Sequence, residues 1–227
     1  MITKNKKNIL KKKKIKLIFD ASHAFGIKNF KTRKSLLNEG DISTLSFHAT
    51  KVFHTVEGGA IVTNNTQLAK KIRLYINHGI LNYKNLSFGL NAKMNEFQAI
   101  IGIHVLKDIN KIFNKKKKIC KIYEKKLSKN ITFQTHNHNY NKNYNYSPVV
   151  FKSKSLLNKV VRTLNKNNIY PRKYFYPSLN KLKYILTKKK FKNSEFISDR
   201  ILCLPNYFDL KIKDQNRIIN LINKVCD

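Results

Sequence analysis

The chain has 227 residues, of which 47 are Lys or Arg and 12 are Asp or Glu, giving a formal net charge of +35 at neutral pH. Hydrophobic residues at 41% and aromatics at 11% can fill a core, which excludes wholesale disorder. No apolar run reaches the roughly 18 residues of a membrane-spanning helix, and the basic opening MITKNKKNILKKKK lacks the apolar segment of a secretory signal. Cys120, Cys203 and Cys226 lie too far apart to suggest a disulfide framework or a zinc site, so a reducing, cytoplasmic compartment is expected, with no membrane partner.

From Ile15 the pattern changes, and residues 15–19 read as a short, largely buried strand. It ends at Asp20, where the small residues Ala21, Ser22, Ala24 and Gly26 take over. Residues 43–47 and 59–63 are the next strands, and Thr66 is placed to cap a helix over 67–76. Gly79 and Gly89 bracket a loop. A helix over 94–107 carries Phe97, Ile101 and Val105 at helical spacing, and a second helix over 109–127 presents lysines 115–118 as its solvated face. The tract 134–146 (QTHNHNYNKNYNY) is low in complexity and reads as a loop or a poorly ordered insertion. Strands over 148–151, 169–175 and 201–205 follow, with a serine-capped helix over 155–165 and a last helix over 214–225. This alternation predicts an α/β first domain, residues 1–107, and a smaller α+β domain, residues 108–227.

Asp20 ends a strand where open α/β sheets place their ligands. A lone Asp there would be a cap or turn residue, but Ser22-His23-Ala24-Phe25-Gly26 follows, then Ser46-Phe47-His48-Ala49-Thr50-Lys51, then Glu57-Gly58-Gly59. Lys51 lies in the least charged stretch of the protein, and an amine in an apolar pocket loses proton affinity and becomes a usable nucleophile. Glu57 contacts Lys51 or caps the glycine turn; the sequence leaves both open. His136 and His138 are spaced to clip a metal, yet no carboxylate or third His is nearby, so no metal is expected. His48 and His54 receive no role, and His78 reads as a helix-end residue.

The strings DASHAFG, GDISTLSFHATKVFHTVEGGAIVTN and GLNAKMNEFQAIIG, followed by RKYFYP and ILCLPNYFDL, resemble the DegT/DnrJ/EryC1/StrS family of pyridoxal-phosphate-dependent sugar aminotransferases. The resemblance covers nearly everything after residue 15. It implies an α/β fold, the carboxyl-terminal part of a fold-type-I pyridoxal 5'-phosphate transferase: part of the cofactor domain, then a small α+β domain. Lys51 would bind the cofactor covalently and, once freed, carry the proton between substrate and cofactor. Asp20 would face the pyridine nitrogen, His23 the 3′ oxygen, and Ser46 the phosphate. Asn91 would reach the phosphate held by a neighbouring subunit, which implies a homodimer with a shared active site. Tyr174 would stand on the sugar side. The implied reaction is amino transfer from an amino acid, glutamate being expected, to a nucleotide-linked 4-keto-6-deoxy sugar for surface polysaccharide. Some relatives carry His in place of the lysine and dehydrate, an outcome Lys51 argues against.

Family members are longer at the amino terminus, where they carry a Gly/Ser/Thr-rich phosphate turn and an aromatic residue stacked on the ring. Residues 1–14 contain no Gly and no Ser, so the chain is expected to be amino-terminally truncated and weakly active alone, with a hydrophobic sheet edge exposed. Two readings from other classes stand beside this one: a non-catalytic remnant or split-enzyme subunit, and a basic nucleic-acid-binding module. Against the second, only six of the 47 basic residues are arginine, and Lys, Asn and Ile are what an AT-rich coding sequence favours. A solvated lysine-rich surface is therefore expected, with weak, salt-sensitive polyanion binding and no specific nucleic-acid partner.

Overall fold

A computed structural model describes residues 12–187 and 189–227; the basic opening segment up to residue 11 lies outside the described residues. The chain divides into two units. The first runs to Asn110 and also takes Asn137–Asn143, and the second comprises Lys111–His136 and Tyr144–Asp227.

In the first unit, β1 (Ile18–Asp20), β2 (Ile42–Ser46) and β3 (Gly59–Val62) form a sheet in that order. β1 runs parallel to β2, with Asp20 opposite Thr44, and β2 runs antiparallel to β3, with Ser46 opposite Gly59. The first strand is shorter than its apolar run and is not buried: Ile18 is 63% exposed and Ile15 is also exposed. The reason is its position, since among the described residues β1 pairs with β2 alone, at the edge of the sheet. The buried centre of this unit is Leu45, Phe47 and Phe53, with Phe25, Leu37, Val62, Val105 and Ile109 packed around them.

Helix α1 (Thr66–Ile76) is capped by Asn65, not Thr66, because the Asn65 side chain accepts the Leu68 N–H at 2.9 Å, three residues on. The segment between Gly79 and Gly89 contains a small hairpin, β4 (Ile80–Leu81) with β5 (Lys84–Asn85). Gly79 has φ +74°, and a Cβ on Gly89 would overlap the backbone of His78 and Gly79, so both positions require glycine. Helix α2 (Glu96–Lys126) is one helix of 31 residues where two were expected. Lys107-Asp108-Ile109 offers neither Gly nor Pro, so nothing interrupts the backbone ladder there. Asn95 and Gln98 exchange hydrogen bonds at its start, a capping box built from amides.

In the second unit, β6 (Ile131–Phe133), β7 (Ser147–Phe151) and β8 (Ile201–Leu204) form an antiparallel sheet. Helices α3 (Lys154–Lys166, capped by Ser153), α4 (Lys192–Ser198) and α5 (Ile212–Cys226) accompany it. Tyr123, Phe151, Leu157, Leu164, Leu202 and Ile222 make its core. Residues 169–175 are not a strand: Arg172 alone bridges to Cys203, because Pro171 brings no N–H to a ladder. β6 and α4 were not anticipated from the sequence.

Lys116 departs from the solvated face expected for lysines 115–118. Its Nζ donates to the carbonyls of Asn145 (3.3 Å) and Asn206 (2.6 Å), and burial pushes its pKa from the ordinary 10.5 down to about 8. In the folded chain the ammonium therefore loses its proton at lower pH than in the unfolded chain. Between about pH 8 and 10.5 the unfolded state binds more protons, so this residue makes stability rise with pH. The Cys203 thiol, pushed up to about 11 by burial, acts in the opposite sense. The difference between wild type and Lys116→Met isolates the lysine. Denaturant titrations at pH 7.5 and 10 should show the wild type gaining on the variant by on the order of 2 kcal/mol.

Candidate active site

Phe47 closes the loop that carries Lys51. Its N–H donates to the Gly58 carbonyl at 2.8 Å, and its own carbonyl accepts the Thr55 N–H at 2.9 Å, so residues 48–57 leave and rejoin one point at the end of β2. Within the loop the Lys51 N–H donates to the His48 carbonyl at 2.9 Å, and Val52 and Phe53 turn into the core. Lys51 itself is half-buried. Gly58 has φ +148°, and a Cβ there would press on the Thr55 hydroxyl, so the glycine pair after Glu57 is fixed by the loop's own closure.

The second loop starts at Asp20. The Ala21 N–H continues the parallel ladder to the Thr44 carbonyl, and a turn from Ala21 to Ala24 then places His23 over the end of the sheet. The two loops are joined by aromatic rings. Phe25 stacks on Phe53 with centroids 4.6 Å apart, and Phe47 meets Phe53 edge-on at 4.7 Å. As a result the Lys51 Nζ lies 2.9 Å from the His23 Nε2.

The electrostatics follow from this proximity. Partial burial, then the charge of Lys51, holds the His23 imidazole below the usual histidine range, with Asp20 opposing. The imidazole is therefore neutral at pH 7, and its Nε2 shares a hydrogen bond with the Lys51 amine. Asp20 is held below the usual carboxylate range first by hydrogen bonds from the Ser22 hydroxyl and N–H, with smaller contributions from His23 and Lys51. It is ionised at neutral pH. Asp20, His23 and Lys51 therefore form one coupled group of carboxylate, imidazole and amine at the ends of β1 and β2.

The other residues singled out in the sequence are placed as follows. Ser46 ends β2, half-buried; its Oγ accepts the His48 N–H at 3.3 Å and keeps its own hydrogen to give. Asn91 is exposed and bridges to Asn77 at the end of α1, outside the two loops. Tyr174 belongs to the second unit, where Arg172 donates to its hydroxyl at 3.3 Å and its ring meets Tyr146 edge-on at 5.4 Å. Glu57 lies 3.5 Å from His48 Nε2, and the His54 Nδ1 accepts the Val56 N–H. Among the described residues no three His, Cys, Asp or Glu side chains gather as a metal site, and no helix is long and apolar enough to cross a membrane. Sequence reasoning did not single out Phe25 and Phe53, whose ring contact is visible only once both loops are folded.

The profile of the DegT/DnrJ/EryC1/StrS aminotransferase family matches residues 4–223. The chain belongs to that family. The dTDP-4-amino-4,6-dideoxy-D-glucose transaminase of Shigella dysenteriae is 32% identical over 226 residues, covering 96% of this chain and 61% of that protein. The crystal structure of DesI with its TDP-sugar product superposes with a TM-score of 0.87 at 26% identity, covering 97% of this chain and 58% of that one. The PLP-form of Spr1654 from Streptococcus pneumoniae shares the fold, with a TM-score of 0.82 at 19% identity over 93% of this chain and 58% of that one. The chain thus spans about three fifths of the length of these proteins. Its fold is part of the fold-type-I pyridoxal-phosphate transferase architecture. The donor set present in this DegT/DnrJ/EryC1/StrS chain fits that cofactor: Lys51 offers a primary amine for the aldehyde, Asp20 an ionised carboxylate for the ring nitrogen, and Ser46 a hydroxyl for the phosphate.

Proposed function

We propose that this protein uses pyridoxal phosphate to move an amino group between an amino acid, glutamate, and the keto carbon of a nucleotide-linked 4-keto-6-deoxy sugar. Family membership and the transaminase named in Shigella dysenteriae support the reaction class. The observation that carries the reading in this chain is the Lys51 amine set against the His23 imidazole beside the Asp20 carboxylate. When bound, the cofactor supplies an electron sink for the substrate carbon.

The chain's own residues do the rest. Lys51 Nζ holds the cofactor and, when released, moves a proton at the substrate carbon. The His23 ring, hydrogen-bonded to the Lys51 amine through Nε2, orients that amine and would face the cofactor's 3′ oxygen. Asp20, ionised and steadied by Ser22, pairs with the protonated ring nitrogen. Ser46 gives its hydroxyl hydrogen to the phosphate. Asn91 lies outside this group and serves the phosphate bound by a second copy, so the working form is a homodimer. Tyr174, braced by Arg172, meets the sugar. In this reading residues 1–107 are the part of the cofactor domain present, and residues 108–227 the small domain.

The test is to add pyridoxal phosphate to the purified chain, reduce with borohydride and map the adduct by peptide mass spectrometry. An adduct concentrated on Lys51 supports the proposal. Adducts scattered over the 41 lysines refute it.

A further inference from the structure

The asparagine tract makes contacts that the proposed chemistry does not explain. Its residues Asn137–Asn143 belong to the first unit and lie along the loop that carries His23. The Phe30 N–H donates to the Asn139 carbonyl at 2.8 Å, the Asn141 N–H donates to the Lys28 carbonyl at 3.1 Å, and Tyr140 bridges to Asn29 antiparallel. Two side chains reinforce this pairing. Asn141 accepts the Lys28 N–H at 2.6 Å through Oδ1 and donates to the Gly26 carbonyl at 3.0 Å through Nδ2. Asn143, only 8% exposed, donates through Nδ2 to the carbonyls of His23 (2.8 Å) and Phe25 (3.0 Å). A side-chain amide has two N–H hydrogens in one plane, and here one donor nitrogen fixes two carbonyls two residues apart.

We propose that Asn143 is a positioning residue: by gripping the backbone at His23 and Phe25 it holds the His23 imidazole against the Lys51 amine. The effect on catalysis rests on the reading of Lys51 as the cofactor-binding residue; the grip itself does not. The geometry separates this role from general bracing. Asn141 holds the loop beyond His23, at Gly26 and Lys28, whereas Asn143 holds the carbonyl of His23 itself and that of the residue whose ring stacks on Phe53. Turning the His23 peptide would swing the ring off Lys51 without unfolding the sheet, because the ladder to β2 ends at Ala21.

The experiment compares Asn143→Ala with Asn141→Ala by two readouts: the NMR titration of the His23 imidazole, and the share of reducible pyridoxal phosphate adduct found on Lys51. Asn143→Ala should raise the His23 midpoint toward that of an ordinary histidine, since the ring leaves its partly buried place and moves away from the Lys51 charge. It should also lower the share of adduct on Lys51 by about tenfold. Asn141→Ala should leave both close to wild type. Equal shifts in the two variants, or no shift in either, overturn the proposal. If Asn143→Ala does not fold, the wild type still decides: the Asn143 side-chain NH2 resonances should resist exchange and move as His23 titrates. Exchange as fast as at a solvent-exposed asparagine overturns the proposal. A wild type that forms no adduct at Lys51 would sink the functional reading, while the His23 titration would still judge the grip.

Discussion

Lys51→Ala is expected to abolish the reducible adduct at position 51 and to lower amino transfer by about 10²–10⁴-fold or more. Two functions sit on one nitrogen, covalent attachment and proton transfer, and no other amine can take them over. The nearest nitrogen base, His23 Nε2 at 2.9 Å, can accept a proton but cannot offer a primary amine to an aldehyde. Lys51→Arg should be as inactive, because guanidinium keeps the charge and does not give up its proton. Peptide mapping after reduction distinguishes the site from the chain's other lysines. Background adducts on those lysines should persist in both variants, so only the peptide carrying position 51 should change.

Phe53→Ala has the next largest expected effect, on stability and site together. Phe53 is buried at the centre of the first unit's aromatic group, stacked on Phe25 and edge-on to Phe47. Truncating a buried Phe costs about 3–5 kcal/mol, from lost burial and from the cavity left behind. The same rings tie the Lys51 loop to the His23 loop, so the variant should loosen the amine–imidazole contact in whatever fraction remains folded. A denaturant titration followed by adduct mapping reads both effects. Phe53→Leu, which refills most of the volume, should recover much of the stability; if it does not recover adduct formation at Lys51, ring stacking rather than bulk sets the loop geometry.

The candidate site was legible because its parts are local in sequence. Asp20 and His23 are three residues apart, and Ser46 and Lys51 five, so two short strings carry the whole group. Where the sequence misled, tertiary context decided. The run from Ile15 to Phe19 is apolar enough for a buried strand, but burial depends on what covers a strand, and among the described residues β1 has a neighbour on one side only. A break near Lys107 was expected, yet Ile101, Val105, Ile109 and Ile112 keep helical spacing through it and no Gly or Pro stands there to end the helix. Lys116 sits in a lysine run that looks solvated, and only the carbonyls of Asn145 and Asn206, distant in sequence, show that it is held inside.

The tract 134–146 is a loop, as its low complexity suggested, but one tied by its asparagines to the segment carrying His23. Its asparagines fall at 137, 139, 141, 143 and 145, every second residue, which is the repeat of an extended strand rather than of a random polar loop. That alternation also sets which length changes the protein can absorb. Loss of one residue within the tract would bring Tyr140 or Lys142 to the place of a gripping amide, while loss of two would bring another asparagine there. Loss of a residue pair should therefore be tolerated better than loss of a single residue.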